Sequence, residues 1–164
     1  IQQRVRQLAQ DITDHYRGKK LVLVGVMKGA FIFLADLVRY IDPKEVDVSV
    51  DFIAVSSYEG TKSSGTVRIV HDLSTDIAQT NILLVEDIVD TGLTLKYLMR
   101  NLKSRKPSDL AVCSLLSKPE CQATPMDLDF VGFEIEDVFV IGYGLDYDQA
   151  FRGLPYIGRC IPGN

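Results

Sequence analysis

Three short, almost unbroken runs of apolar residues constrain the fold more than any other feature of this 164-residue sequence. They cover residues 21–27, 81–85 and 110–116, and each is followed by charged or polar residues. Runs this short are typical of strands that are buried on both faces, since buried helices need more residues. Strands of that kind belong to parallel sheets with helices on both sides. The runs therefore predict an α/β fold.

Segments with helical periodicity alternate with these runs. Residues 2–16 place apolar side chains at three- and four-residue steps, and Gly18 follows as a stop signal. Strands that alternate with helices favour right-handed crossovers, so we expect a mainly parallel twisted sheet flanked by helices, in a single domain covering residues 1–164. The remaining predicted helices are 30–41 and 91–103, and the remaining predicted strands are 46–55, 67–70, 130–133 and 138–141.

Charge and cysteine content exclude several classes of function. The formal net charge is -4, and the basic residues are scattered, so we expect no binding to nucleic acid. No apolar stretch is long enough to span a bilayer, so we expect no membrane association. The three cysteines lack the paired spacing of a zinc site or a redox dithiol. Free thiols are typical of a reducing compartment, which predicts a cytoplasmic protein.

Two adjacent carboxylates, Glu86 and Asp87, follow the predicted strand 81–85. Ligands of parallel sheets collect at the carboxyl ends of the strands, so this is where a site is expected. Adjacent negative charges repel unless a cation or a polyhydroxylated ligand lies between them, and Mg²⁺ prefers such oxygen ligands. Successive side chains of a strand point to opposite faces. We therefore expect the pair to act partly through water or substrate hydroxyls.

Residues 90–94 stand where this strand gives way to a helix, and they read Asp-Thr-Gly-Leu-Thr. Backbone N–H groups at a helix entrance, a glycine and two threonine hydroxyls suit a phosphate. An alternative is that Asp90 or Thr91 only caps the helix. The spacing of a Walker loop is absent, and no G-x-G-x-x-G follows residues 21–27, which disfavours a nucleotide-binding dehydrogenase.

Residues 81–94 resemble the signature of phosphoribosyltransferases that use phosphoribosyl pyrophosphate. In both, an apolar strand is followed by Glu-Asp, two apolar residues and Asp-Thr-Gly-x-Thr. Nearly the whole chain is similar to the hypoxanthine-guanine phosphoribosyltransferase family. The resemblance implies the type I phosphoribosyltransferase fold, with a small hood formed by the C-terminal part. It also implies purine salvage, in which a 5-phosphoribosyl group passes to hypoxanthine or guanine and gives IMP or GMP and pyrophosphate.

Four other segments carry the same resemblance. Residues 26–29 resemble the family's pyrophosphate loop, whose lysine peptide is often cis, and residues 56–66 resemble its mobile catalytic loop. Residues 114–118 resemble the strand whose lysine reads the purine 6-oxo group, and residues 129–152 the purine hood with a second metal site. The substrate-binding residues implied are Lys28, Gly29, Ser57, Tyr58, Glu86, Asp87, Asp90, Thr91, Gly92, Leu93, Thr94, Lys118, Phe139, Val140, Asp146 and Arg152.

The resemblance also implies individual roles. Asp90 is the catalytic residue, a general acid/base at the purine N7, and Lys118 reads the 6-oxo group and so rejects adenine. Phe139 stacks on the base, and the Val140 backbone meets its Watson-Crick edge. The implied partners are phosphoribosyl pyrophosphate and a 6-oxopurine, with a homodimer or homotetramer as the assembly. The implied cofactor is Mg²⁺, held by Glu86, Asp87 and Asp146.

Two rival functions stay open at this stage. A regulator that keeps the phosphoribosyl pyrophosphate site but binds RNA or DNA would be expected to show a basic face, which the charge balance does not offer. The second rival is an enzyme of the same fold that acts on xanthine, adenine or orotate. Lys118 and Phe139 disfavour adenine and orotate, but they do not separate xanthine from hypoxanthine and guanine.

Overall fold

A computed structural model describes residues 1–57, 67–122 and 125–161. Within these residues, six strands form one sheet in the order β3-β2-β1-β4-β5-β6, and two short strands form a separate ribbon. The elements are α1 (Gln2–His15), β1 (Lys20–Met27), α2 (Phe31–Tyr40), β2 (Asp47–Ser57), β3 (Val67–His71), β4 (Asn81–Val89), α3 (Leu93–Ser104), β5 (Asp109–Ser117), a 3₁₀ turn (Pro119–Cys121), β6 (Phe130–Glu134), β7 (Val140–Ile141) and β8 (Gly158–Arg159).

The sheet is mainly parallel, as the sequence predicts. β1 pairs in parallel with β2 and β4, β5 pairs in parallel with β4 and β6, and β3 runs antiparallel to β2 at the edge. The α/β prediction is confirmed, and so are the positions of the predicted helices and strands to within a few residues. Most of the predicted loop 56–66 lies outside the described residues.

Three element boundaries differ from the prediction, each for a local reason. β4 continues to Val89 instead of ending at residue 85, because β5 pairs with it through Glu86, Ile88 and Val89. α3 begins at Leu93 instead of residue 91, because Gly92 has a left-handed backbone with φ of 78°. The strand predicted at 138–141 is reduced to Val140–Ile141, since a turn bond from Val138 N–H to the Glu136 carbonyl precedes it.

Apolar side chains cover both faces of the sheet, which explains the unbroken runs in the sequence. Leu83 and Val85 of β4 pack with α1 and α2 on one face, and Ile82 and Leu84 pack with α3 on the other. This alternation is the two-residue period of a strand. Each fully buried leucine or isoleucine stabilises the fold by about 1.5 to 3 kcal/mol relative to an exposed one.

The C-terminal part forms a small hood beside the sheet. β7 and β8 pair antiparallel, with Val140 opposite Arg159. The turn that follows β7 contains three residues with positive φ, namely 94° at Gly142, 52° at Tyr143 and 105° at Gly144. Backbone N–H groups of Tyr143 and Gly144 donate to the carbonyls of Leu154 and Arg152, both at 2.9 Å. These bonds fold the chain of the hood back on itself.

A buried carboxylate, Asp36 of α2, ties the hood to the helical layer. It is 7% exposed and accepts hydrogen bonds from the Tyr143 hydroxyl at 2.5 Å and the Gln2 amide at 2.6 Å, and it pairs with Arg39. Burial alone would raise the pKa of Asp36, but these donors outweigh it and leave the pKa lowered. The ionised carboxylate therefore stabilises the folded protein.

Substitution of this carboxylate tests the connection. We expect Asp36→Asn to lower the free energy of unfolding by about 1 to 3 kcal/mol at pH 7, because the donors around it were bonded to a charged acceptor. Since the pKa is lowered in the folded protein, the stabilisation is present above the ordinary value of 3.8 and is lost as the pH falls through the folded value. Urea unfolding at pH 7 and at acid pH measures the difference. Tyr143→Phe removes one donor and should lower the free energy of unfolding by less. Equal stability of Asp36→Asn and wild type would contradict the assignment.

Candidate active site

The carboxyl ends of three neighbouring strands meet at one edge of the sheet. β1, β4 and β5 lie side by side, and each is followed by residues that the sequence singles out. Lys28 and Gly29 follow β1, residues 90–94 follow β4, and Lys118 follows β5. The parallel pairing therefore brings together three segments that are far apart in the chain.

A cavity of about 100 Å³ lies at the entrance to α3. Gly92 is required there, because a Cβ on it would lie 2.4 Å from the Met126 sulfur and its φ is positive. The N-cap residue of α3 is Gly92, which has no side chain to cap the helix, and the Leu93 N–H makes only a long hydrogen bond of 3.5 Å to the Thr91 hydroxyl. Backbone N–H groups at this helix end are thus left for a ligand. The cavity is lined by Glu86, Ile88, Val89, Asp90, Thr91, Gly92, Leu93, Thr94 and Leu95.

Glu86 and Asp87 face different surroundings, as expected of neighbours on a strand. Glu86 is 5% exposed and lines the cavity, whereas Asp87 lies against the backbone of Gly29. Burial, and then the charge of Asp87, raises the pKa of Glu86 well above its ordinary value. Burial also raises the pKa of Asp87 to about 6, although backbone donors and Arg152 oppose the change. The site therefore holds two carboxylates with little compensating positive charge.

Gly29 is enclosed between Asp87 and the hood. A Cβ on Gly29 would lie 1.7 Å from Asp87 Oδ2, and a Cβ on Gly144 would lie 2.0 Å from the Gly29 carbonyl oxygen. The preceding peptide bond, Met27–Lys28, is cis, as the family resemblance leads one to expect. Lys28 Nζ donates to Gln149 Oε1 at 3.2 Å. The segment after β1 is therefore in direct contact with the hood.

Asp146 and Arg152 lie together in the hood. Arg152 pairs with Asp146 Oδ1 at 2.8 Å and donates to the Gly144 carbonyl at 2.8 Å. The other Asp146 oxygen accepts from the Gln149 N–H at 2.8 Å. The positive charge of Arg152 opposes the rise in the pKa of Asp87. Both hood residues that the resemblance singles out are thus held near the carboxylates of β4.

On the opposite side of the Asp90 loop, Lys118 is only 5% exposed and is shared by two carboxylates. Its Nζ lies 3.3 Å from Asp90 Oδ2 and 3.2 Å from Asp137 Oδ1. Burial lowers the pKa of Lys118, but hydrogen bonds to Asp137 and Asp90 outweigh this and leave it raised. Asp90 therefore accepts from Lys118 instead of capping α3, which answers the alternative that the sequence leaves open for this residue.

Asp137 and Cys121 are two members of this cluster that sequence reasoning missed. Ligand atoms of Asp90, Cys121 and Asp137 all lie within 4.8 Å of one another, next to the Lys118 ammonium. Burial, followed by contact with Asp137 and Asp90, raises the pKa of the Cys121 thiol to about 11. No local pattern marks Asp137 among the acidic residues around it, because its contact with Lys118 joins separate segments of the chain.

Two exposed aromatic rings, those of Phe139 and Tyr147, lie in the hood. Phe139 is 51% exposed, and its ring meets that of Tyr147 edge to face at a centroid distance of 5.8 Å. The Cys160 N–H donates to the Phe139 carbonyl at 2.8 Å, which makes these two residues a hydrogen-bonded pair of the ribbon. The alternation of an antiparallel ladder then turns the N–H and carbonyl of Val140 away from β8. A planar ligand could therefore stack on an aromatic ring and form hydrogen bonds with backbone groups at this place.

Two predicted substrate contacts are described only in part. The backbone of Ser57 ends β2 and pairs with Val67. Tyr58 lies outside the described residues.

Comparison with known proteins gives a consistent result. The phosphoribosyl transferase domain family matches residues 1–148. The hypoxanthine phosphoribosyltransferase of Buchnera aphidicola subsp. Schizaphis graminum is 46% identical over 161 residues, covering 96% of this chain and 89% of that protein. The hypoxanthine-guanine phosphoribosyltransferase of Mycobacterium avium is 48% identical over 169 residues, covering 99% and 82%.

Solved structures give the same picture. A crystal structure of a hypoxanthine-guanine phosphoribosyltransferase from Bacillus anthracis superposes with a TM-score of 0.91 at 40% identity, covering 98% of this chain and 93% of that one. Among the described residues, no helix has the length and apolar character needed to cross a membrane.

The raised pKa of Asp87 predicts an unusual effect on stability. Because the fold disfavours the ionised form, the wild-type protein loses stability as the pH rises from 3.8 to about 6 and regains none above it. We expect Asp87→Asn, in buffer without divalent cations or phosphate, to be more stable than wild type at pH 7.5 by up to about 3 kcal/mol. The gain should vanish below pH 3.8. Chemical denaturation across this range measures it.

Asp11→Asn, which changes an exposed aspartate of α1, is the matched control and should stay within about 0.5 kcal/mol of wild type at every pH. A stability difference for Asp87→Asn that is the same at pH 4 and at pH 7.5 would contradict the explanation.

Proposed function

Since the chain belongs to the hypoxanthine-guanine phosphoribosyltransferase family, we propose that it transfers 5-phosphoribosyl from phosphoribosyl pyrophosphate to hypoxanthine or guanine. The products are IMP or GMP and pyrophosphate, and the reaction belongs to purine salvage. The observation that carries the proposal is the meeting, at one sheet edge, of an uncapped helix entrance, a carboxylate pair and a buried lysine. Each suits a different part of the two substrates.

We assign the 5'-phosphate to the cavity at the entrance of α3. Backbone N–H groups of residues 90–94 and the positive end of the helix dipole favour an anion, and the hydroxyls of Thr91 and Thr94 add donors. Gly92 and Leu93 contribute their backbone N–H groups, so neither residue needs a polar side chain. Binding at this remote group holds the anomeric carbon in place for attack by the purine.

We assign one Mg²⁺ to Asp146 and a second to Glu86 and Asp87, which would bind it partly through water or substrate hydroxyls. The donor set fits, because it consists of oxygen ligands, and the raised pKa values of Glu86 and Asp87 mean that the protein alone does not stabilise the ionised carboxylates. When bound, Mg²⁺ would neutralise the negative charge that develops on the departing pyrophosphate. The sign of the pKa changes supports this assignment, since a cation would favour the ionised carboxylates.

The leaving group is assigned to the segment after β1 and to the hood. Lys28, the Gly29 amide and Arg152 supply donors for pyrophosphate, whose departure leaves oxocarbenium character on the ribose. The family resemblance assigns the exclusion of water from this cation to residues 56–66, most of which lie outside the described residues. Because water would otherwise capture it, exclusion favours transfer to the base.

The purine is assigned to the cluster around Lys118. The Lys118 ammonium donates to the 6-oxo group, and an amino group in its place could not accept, so adenine is rejected. Asp90 acts as general acid/base at N7. Phe139 stacks on the ring, and the outward N–H and carbonyl of Val140 meet the Watson-Crick edge. Hypoxanthine, guanine and xanthine share the 6-oxo group, so the assay below ranks them.

The assembly and location of the enzyme are also proposals. We propose a single domain covering residues 1–164, a homodimer or homotetramer as the assembly, and a cytoplasmic location. Three cysteines without a disulfide among the described residues fit a reducing compartment. The scattered basic residues give no broad surface for nucleic acid.

A steady-state assay with four purine bases tests the activity. We expect turnover of phosphoribosyl pyrophosphate with hypoxanthine and guanine, and discrimination against adenine on the order of 10⁴ in kcat/KM, because a buried donor would be left unpaired. Excess chelator should abolish turnover, and added Mg²⁺ should restore it. Full turnover in chelator would overturn the metal assignment, and a protein that binds phosphoribosyl pyrophosphate but ribosylates no purine would favour the regulator.

The role of Asp90 needs a variant that keeps the shape of the loop. We expect Asp90→Asn to lower kcat by about 10² to 10⁴, the usual range for a general acid/base. The dissociation constant for phosphoribosyl pyrophosphate should barely change, because backbone N–H groups make the phosphate contacts. The melting temperature should also stay near that of wild type.

Asp127→Asn serves as the control, since Asp127 is exposed and outside the proposed site. An Asp90→Asn enzyme with wild-type kcat would end the catalytic assignment.

A further inference from the structure

The two carboxylates that share Lys118 are not equivalent. Asp90 lies in the phosphate-binding loop, 3.3 Å from Nζ, and Asp137 lies between β6 and β7, 3.2 Å from Nζ. Their side chains are 49% and 71% exposed, whereas that of Lys118 is 6% exposed. Lys118 is therefore the buried partner of the three, and it has the most to lose if a counter-ion is withdrawn.

The proposed reaction gives Asp90 a second task. When the Asp90 carboxylate exchanges a proton with N7, its negative charge is shared with the base or neutralised by the proton, so it balances Lys118 less. Lys118 must at the same moment stay charged and point at the 6-oxo group. A buried ammonium that loses a partner is strongly disfavoured, so another negative group has to remain beside it.

Asp137 is held where it can fill this role. Ile135 N–H donates to the Ser117 carbonyl at 2.9 Å, which attaches the segment before Asp137 to the end of β5. Val138 N–H donates to the Glu136 carbonyl at 2.8 Å, which closes a turn around Asp137. The carboxylate therefore stands on a backbone that is fastened to the same strand end as Lys118.

The backbone of Lys118 is also fixed, which leaves its side chain as the free part. Its N–H donates to the Val89 carbonyl at 2.9 Å, and its carbonyl accepts from the Cys121 N–H at 3.1 Å. The Cys121 thiol touches the same cluster but stays neutral, because its pKa is about 11. Among the described residues, Asp137 is then the charged group that can direct the ammonium while Asp90 serves N7.

We propose that Asp137 is a positioning residue for base recognition, which keeps the Lys118 ammonium aimed at the purine 6-oxo group while Asp90 serves N7. This inference rests on the proposed function and assigns a role to a residue that contacts Lys118 and not the reacting atoms. Among the described residues, loss of Asp137 leaves Asp90 as the one carboxylate partner of Lys118. The ammonium is then drawn toward the loop and away from the base.

The first experiment separates base binding from phosphate binding. We expect Asp137→Asn to raise KM for hypoxanthine by about 10- to 100-fold, the usual effect of losing a hydrogen bond to a charged group. KM for phosphoribosyl pyrophosphate and the melting temperature should stay within about two-fold and within a few degrees of wild type, since Asp137 is exposed. Asp137→Glu should recover part of the loss.

Glu136→Gln is the matched control, because it removes the same charge from the neighbouring exposed residue, whose side chain makes no ion pair among the described residues. It should leave both KM values unchanged. An Asp137→Asn enzyme whose KM for hypoxanthine equals that of wild type, or that of Glu136→Gln, would overturn the inference.

A double-mutant cycle with Lys118→Ala decides whether Asp137 acts through the lysine. Once Lys118 is absent, Asp137→Asn should raise KM for hypoxanthine by less than about two-fold, whereas independent effects would multiply. Where turnover of Lys118→Ala is too slow, the dissociation constant for IMP from calorimetry completes the same cycle. Multiplying effects overturn the inference and leave the proposed function standing. A wild-type protein that ribosylates neither hypoxanthine nor guanine overturns both.

Discussion

Parallel pairing of β1, β4 and β5 is the constraint on which the site depends. Parallel strands end at the same edge, so the segments that follow them are neighbours in space whatever their separation in sequence. Here the pairing continues past residue 85, since β5 holds β4 in extended form as far as Val89. That extension carries Glu86 and Asp87 into the sheet, where Glu86 is buried and Asp87 is partly buried. The unusual electrostatics of the site therefore follow from the hydrogen bonding of the backbone.

The acidic residues of the sheet region divide into two kinds. Asp36 and Asp51 are buried and are surrounded by donors, and their pKa values are lowered. Asp51 accepts from the backbone and hydroxyl groups of Ser74 and Thr75, which fixes the connection after β3. Glu86 is buried and Asp87 is partly buried, and the pKa values of both are raised. Charge that holds the fold together is thus compensated within the protein, whereas charge at the site is left for a ligand to compensate.

The sequence predicted much of this arrangement, because its strongest signals are local. Apolar runs marked the strands, and the strand ends then marked the places where Lys28, Asp90 and Lys118 would meet. The reach of β4 was not predictable, because it depends on pairing with β5, and the charged residues Glu86 and Asp87 interrupt the apolar run before Ile88 and Val89. Asp137 was missed for a related reason. It is one of several acidic residues in its segment, and only its ion pair with Lys118, on another segment, distinguishes it. The roles of the site residues came from the family resemblance and stay predictions until they are measured.

The contact between Gly29 and Gly144 also constrains how this sequence can diverge. A Cβ on Gly144 would meet the Gly29 carbonyl, whereas a Cβ on Gly29 would meet the Asp87 carboxylate, so residue 144 is limited by the loop after β1 and residue 29 by β4. The turn after β7 therefore cannot take a side chain at residue 144 unless the loop after β1 moves. Substitution in the hood is in this way limited by a peptide near the other end of the chain.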